Sequence, residues 1–301
     1  MKFKEQMLRK CNICPRNCKV NRLLGERGYC NTGVKIKVAK AYLHQWEEPC
    51  ISGSNGSGTV FFSNCNLKCV FCQNHVISQD GVGQEISIEK LSEIFLNLEK
   101  KGAHNINLVT ATSYTPQVIE AIDIAKEAGL CIPVVYNTNS YENVDTIKAL
   151  DGRIDVYLPD LKYYDDKYAI KYSKAPDYFK YATKAIEEMV LQVGKPVFDQ
   201  DGILKKGVII RHLMLPGLLF DSKKIIEYIY RTFGDSVYIS IMNQYTPMHE
   251  ANKYEEINRT LKEEYYDRFI NYCYDLGIRN AFIQEGGSSS EEFVPDFYTF
   301  D

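Results

Sequence analysis

The sequence predicts an α/β fold built on parallel strands, and two observations carry that expectation. Short apolar runs alternate with amphipathic segments from about residue 59 to residue 283, which is the pattern of strand, helix and crossover. The segments between the runs carry helix start and stop signals. Composition sets the scale. The chain has 301 residues, 45% apolar and 25% charged, enough for one large domain or two small ones with a full core.

Taken in order, the first 35 or so residues hold Cys11, Cys14, Cys18 and Cys30 among Arg, Asn and Gly. They read as a small metal-knotted module. Residues 37–43 alternate as a strand does, and residues 52–58, rich in Ser and Gly, have loop composition. Strands are expected at 59–62, 105–109, 131–136, 154–158, 208–213, 237–242 and 281–283. Residues 88–100 place apolar side chains at 88, 91, 94, 95 and 98, with Ser87 as N-cap. Thr115-Pro116 opens the next helix and Gly129 ends it. Further helices are expected at 141–150, 177–193, 222–233 and 255–276. The strand count falls short of the eight of a closed barrel. An incomplete barrel and a flat doubly wound sheet both stay open, and both place function at the C-terminal ends of the strands. The expected division is a cysteine-rich extension over residues 1–50 and the main domain over residues 51–301.

Charge and hydropathy exclude several classes. A net charge of -3 and a pI near 6 give no basic footprint for nucleic acid. No apolar run approaches the roughly 18 residues of a membrane span. Residues 1–10 are basic but lack the apolar core of a signal peptide, so the expected location is cytoplasmic. Ten cysteines in a reducing compartment are not expected to form disulfides. Eight of them precede residue 73, which points to metal or cluster chemistry. Cys131 and Cys273 stand alone in apolar segments and read as buried structural thiols. Cys50 and His44 read as spectators.

The most specific motif is Cys65-Asn66-Leu67-Lys68-Cys69-Val70-Phe71-Cys72. Three thiolates at this spacing can hold three irons of a [4Fe–4S] cube and leave the fourth for an exogenous ligand. The amino and carboxylate groups of S-adenosylmethionine can serve. An electron passed into the sulfonium then breaks a C–S bond and releases a 5′-deoxyadenosyl radical, chemistry that the protein orients and shields. The bland alternative is a zinc site with a remote fourth ligand, but zinc knuckles more often pair C-x2-C elements.

The motif resembles the signature of the radical S-adenosylmethionine (radical SAM) superfamily. Cys11-Asn12-Ile13-Cys14-Pro15-Arg16-Asn17-Cys18, Leu158-Pro159-Asp160-Leu161-Lys162-Tyr163 and Arg211-His212-Leu213-Met214-Leu215-Pro216-Gly217 extend the resemblance to a subgroup similar to pyruvate formate-lyase activating enzyme. The resemblance implies a partial (β/α)6 barrel with cluster and cofactor at its open top. It also implies an oxidoreductase that draws electrons from a carrier such as flavodoxin or ferredoxin and installs a glycyl radical on a partner enzyme.

Candidate cofactor contacts follow the strand ends. Relatives carry Gly-Gly-Glu after the second barrel strand, on the methionine amino group; this chain has Thr110-Ala111-Thr112-Ser113-Tyr114. The hydroxyls of Thr110 and Thr112 could substitute, or simply shape a helix entry. Asn137 and Asn139 could bind ribose or shape a turn. Asp160 and Lys162 alternate around Leu161, so both could face the cofactor, or form a buried pair. Arg211 and His212 are adjacent and should face opposite ways. Arg211 suits a carboxylate or ribose, while His212 divides evenly between site and structure. Asn243 and Gln244 could read adenine or a substrate, and Phe71 should pack beside the cluster.

Cys11, Cys14, Cys18 and Cys30 could take zinc or a second iron–sulfur cluster. Their terminal position and loose spacing favour structural zinc. Three functional readings follow: a glycyl-radical activase, a radical enzyme acting on a small molecule or peptide, and a non-catalytic metal or electron-transfer protein. A pocket closed by Gly286-Gly287-Ser288-Ser289-Ser290 would favour the second.

Overall fold

A computed structural model describes residues 2–284 and residue 297; the segment 286–290 lies outside the described residues. The strands are β1 (Ile36–His44), β2 (Ser57–Phe62), β3 (Gln84–Ile86), β4 (Ile106–Val109), β5 (Val134–Thr138), β6 (Val156–Pro159), β7 (Val197–Phe198), β8 (Leu204–Leu213), β9 (Tyr238–Met242) and β10 (Ala281–Ile283). The sheet runs β10-β9-β8-β6-β5-β4-β2-β1-β3, with β7 paired to β8. Every pairing from β2 to β10 along that path is parallel. β1 is antiparallel to both β2 and β3. β3 and β10 are the two ends of the path among the described residues.

The flat alternative fails on one contact set. Asn107 of β4, Asn137 of β5 and Arg211 of β8 all reach the same carboxylate, Glu47. Side chains from strands so far apart in the order meet only across the lumen of a curled sheet. The fold is therefore a partial barrel, open on one side.

Local chemistry explains the elements. In helix Ile88–Lys100 the Ser87 side chain accepts the Lys90 N–H, and Leu91, Phe95 and Leu98 are buried. Tyr178–Val193 buries one apolar stripe, including Ala182, Ile186 and Met189. These helices cover the outer face of the sheet in one continuous core. The lumen closes at the N-terminal end of the strands, where the turn after β1 folds back: His44 pairs with Ser57, and Cys50 and Ile51 pack on Val135, Val156, Leu158, Leu204 and Ile209.

Within the expected 1–50 extension, β1 belongs to the sheet, and the residues before it bond to the barrel through Asn12, Ile13, Arg16 and Arg22. Cys273 is buried as expected, but Cys131 is exposed. It sits ahead of β5, which begins after Pro133. Its thiol donates to the Gly129 carbonyl at 3.1 Å. The expected helix 255–276 begins only at Glu263.

Candidate active site

The loop after β2 carries the triad, and neighbouring segments hold it. Asn64 adopts a left-handed backbone, φ 70°, and its amide bonds the Tyr114 hydroxyl at 3.2 Å. Lys68 and Val70 N–H groups bond the carbonyls of Ser173 and Tyr172. The Asn66 amide donates to the Tyr141 carbonyl at 2.6 Å, and Arg16 Nε donates to the Asn66 carbonyl at 2.9 Å.

Each thiol has a neutral donor. Cys65 Sγ receives the Asn139 amide at 3.3 Å and the Leu67 N–H at 3.4 Å. The Ser173 hydroxyl lies 3.0 Å from Cys69 Sγ, and the Ser78 hydroxyl 3.3 Å from Cys72 Sγ. Burial pushes Cys65 up to about 12 and Cys69 to about 11, and raises Cys72 as well. Three thiolates in so dry a place need a cationic group, and a ligated iron cluster inverts that local logic. Three sulfurs, Cys65 buried and Cys69 and Cys72 half-buried on the cavity wall, each with a hydrogen-bonding neighbour, are the donor set of an iron–sulfur cluster. The residues fit the group.

Cys69, Phe71 and Cys72 line a cavity of about 430 Å³ with Asn137, Asp160, Lys162, Arg211 and Gln244, a size typical of cofactor sites. Four charges balance inside it. Arg211 gives Nε to Asp160 Oδ1 at 2.9 Å, Nη1 to Glu47 Oε2 at 3.1 Å and Nη2 to Asn137 Oδ1 at 2.5 Å. Lys162 Nζ lies 2.7 Å from Asp160 Oδ2. Burial opposes ionisation of Asp160, but Arg211 and then Lys162 overturn it and leave the carboxyl below its ordinary range. Burial likewise opposes the charge on Lys162, and Asp160 and Cys69 restore it, raising its pKa. Glu48, beside this network, is pushed up first by burial, with Arg211 offsetting and Glu47 adding.

Of the other candidates, Asn139 reaches the triad sulfur rather than the cavity. Thr112 donates to Glu142 at 2.7 Å, outside the lumen, and Thr110 and Asn243 are not on the cavity wall. His212 faces outward, as its neighbour's inward direction requires. Its ring nitrogens meet the Leu161 carbonyl at 2.8 Å and the Ser222 hydroxyl at 2.9 Å, and burial lowers it to about 4. It is a satisfied structural histidine. His44, by contrast, lines the cavity. Sequence reasoning missed Trp46 and Glu47, which reach the cavity from the turn that closes the barrel. The signal available was indirect: Asn105 and Asn107 alternate with Ile106 and Leu108, marking a polar inward face on β4.

Taken together, fold and site define a cluster-binding enzyme with its cavity at the mouth of an open parallel barrel. Residues 59–229 match the radical SAM superfamily, and the chain belongs to that superfamily. Its members use a [4Fe–4S] cluster, S-adenosylmethionine and an external reductant. An uncharacterized protein of Methanocaldococcus jannaschii is 29% identical over 284 residues, 91% of this chain and 78% of its own length. A second from that organism is 26% identical, over 62% of this chain and 56% of its own. Streptococcus suis SuiB bound to S-adenosylmethionine superposes with a TM-score of 0.51 at 16% identity, over 74% of this chain and 49% of SuiB. The hydrogenase maturase HydG from Carboxydothermus hydrogenoformans gives 0.51 at 15% identity, over 73% and 50%. The chain thus spans about half of these structures, and the likeness is one of fold. No helix among the described residues is long and apolar enough to cross a membrane.

Proposed function

We propose that the chain is a radical enzyme whose Cys65, Cys69 and Cys72 ligate the cluster and whose cavity holds S-adenosylmethionine against it. One observation carries this reading: two triad thiols share a wall with Lys162, Asn137 and Gln244. When bound, the two cofactors supply a 5′-deoxyadenosyl radical that takes a hydrogen atom from the substrate. The side chains bind and orient. Lys162 is the cation for the methionine carboxylate, because its ammonium spends one of three N–H bonds, on Asp160, whereas Arg211 is fixed on Asp160, Glu47 and Asn137 together. Arg211, Glu47 and Asp160 hold the floor of the site rigid. Gln244 and Asn137 offer amides to ribose or adenine, and Phe71, edge-on to Tyr245 with centroids 5.7 Å apart, shields the cluster side from water.

The decisive experiment is anaerobic reconstitution followed by reduction with S-adenosylmethionine present. Iron at the triad and release of 5′-deoxyadenosine are expected; a well-reconstituted protein that releases none sinks the reading. As hydrogen donor we propose a glycyl-radical enzyme, supported by the Asp160-Leu161-Lys162 and Cys11–Cys18 resemblance. A partner glycine radical seen by electron paramagnetic resonance (EPR) tests it. A second reading, a small molecule or peptide as substrate, is favoured by a further cavity of about 270 Å³ that shares Trp46, Glu47, Arg211 and Gln244 with the first.

A further inference from the structure

We propose that Cys11, Cys14, Cys18 and Cys30 hold a second iron–sulfur cluster, placed to exchange electrons with the first. The fold gathers the four cysteines into one small module. Cys11 bonds its N–H to the Val20 carbonyl at 3.0 Å and accepts from Lys19 at 2.8 Å, which lays Cys18 beside it. Cys18 Sγ accepts the Tyr29 N–H at 3.4 Å, one residue before Cys30. Cys14 lies within electrostatic reach of both Cys11 and Cys30. Gly28 has the backbone packed against Cys18: a Cβ there would sit 2.7 Å from the sulfur.

The second observation is charge. Arg22 is 3% exposed. Its Nη1 donates to the Ser113 carbonyl at 2.6 Å and its Nη2 lies 3.7 Å from Cys30 Sγ. Its Nε has no partner, and no carboxylate pairs with it among the described residues. Arg16 is half-buried and shows part of the pattern. Its guanidinium lies 3.8 Å over the Tyr29 ring, its Nη2 is buried without a partner among the described residues, and its Nε bonds a carbonyl. Buried guanidiniums without a counter-charge are costly. Four thiolates around a metal centre are net anionic and supply that counter-charge; four neutral thiols do not.

Spacing separates the two metals. A zinc needs all its sulfurs about 2.3 Å from one point, whereas a cube gives each thiolate its own iron. Among the described residues no three Cys, His, Asp or Glu side chains gather closely enough to hold one ion. This holds for the module and for the triad alike.

A single hydrogen bond joins the two sites. From Cys14 the route runs through Pro15 and Arg16, crosses that hydrogen bond of 2.9 Å to the Asn66 carbonyl, and reaches Cys65 as the next residue. The Arg16 guanidinium on this route lies 3.8 Å over the Tyr29 ring and 5.1 Å from the centre of the Tyr141 ring. A one-electron protein carrier would be oxidised by one electron at the module, and the module would pass that electron to the triad cluster; no atoms move. The exchange rests on the triad holding a cluster, but the second cluster does not.

The test uses the full chain with Cys65→Ala, Cys69→Ala and Cys72→Ala together, reconstituted anaerobically. It should keep about four irons and four sulfides per chain and show an EPR signal on reduction. Zinc instead of iron, or no metal on a folded chain, overturns the second cluster. The complementary variant, Cys14→Ser with Cys30→Ser, guards against misfolding of the first: its iron should fall to half of native, and unchanged iron overturns the proposal. If this variant holds no iron while the triple variant does, the failure belongs to the reading of the triad. In the fully reduced native protein the two spins should broaden each other, and a spectrum that is the plain sum of the two variants overturns the exchange.

Discussion

Two buried carboxylates follow neighbouring strands and are held in opposite ways. Asp160, after β6, points into the lumen, where Arg211 and Lys162 meet it at 2.9 and 2.7 Å. Glu142, shortly after β5, sits on the outer side, where it meets only hydroxyls: Thr112 and Thr138 at 2.7 Å and Tyr136 at 3.2 Å. Burial pushes both acids up. In the lumen the two cations reverse the push. Outside, three hydroxyl bonds only moderate it, and Glu142 ends at about 7. The lumen is therefore built to keep charges ionised and fixed, as a site for a charged cofactor must be. The outer site uses an acid as a hub for three strand-end hydroxyls and carries a pH-dependent cost.

The sharpest way to break the lumen half of this contrast is Arg211→Met. It would leave Glu47 and Asp160 buried with one cation between them. Breaking a buried ion pair in this way costs about 3–5 kcal/mol, read by urea unfolding at neutral pH. Adding Glu47→Gln removes one of the stranded charges and should recover part of the loss. A cost below about 1 kcal/mol, or no recovery in the double variant, would mean that the network is not what holds the lumen.

Glu142 tests the other half through pH. Its folded pKa lies above its unfolded value near 4.5, so the folded state binds the extra proton between the two. Stability is highest where both states are protonated. It falls as pH rises from about 4.5 to about 7, by roughly 3 kcal/mol at 1.36 kcal/mol per unit. Above that window the contribution is flat. Native protein minus Glu142→Gln, measured by denaturation across pH 5 to 8, should show this slope. A difference independent of pH would put the acid in a wetter or better paired setting than its hydroxyl cage.

The contrast also explains what the sequence could disclose. Helix Ile88–Lys100 was legible to the residue because its spacing and its Ser87 cap are local properties. The triad was legible for the same reason, since its chemistry is written in one loop. Strand starts were less so: β5 begins three residues later than its apolar run, after Pro133. Glu47 was illegible because its role depends on the turn after β1 folding back under four strands, which no local pattern records. Thr112 and Asn139 were singled out as polar residues at strand ends, but direction decides their role. Thr112 turns outward to Glu142, and Asn139 turns to a sulfur.

Lys162 gives the smallest effect on stability and the most informative one on function. It has a single carboxylate partner, Asp160, which keeps Arg211 when Lys162 is removed. Lys162→Met should therefore cost only about 1.5–2 kcal/mol, the lower part of the range for a charge-assisted hydrogen bond, less than Arg211→Met. If its ammonium is the cation for the methionine carboxylate, affinity for S-adenosylmethionine in the reconstituted protein should drop roughly tenfold, about the 1.4 kcal/mol of one such contact. Equilibrium dialysis reads this directly and apart from turnover. A variant that binds as tightly as native would move the carboxylate elsewhere on the wall, and the lysine would then serve only to complete the charge balance around Asp160.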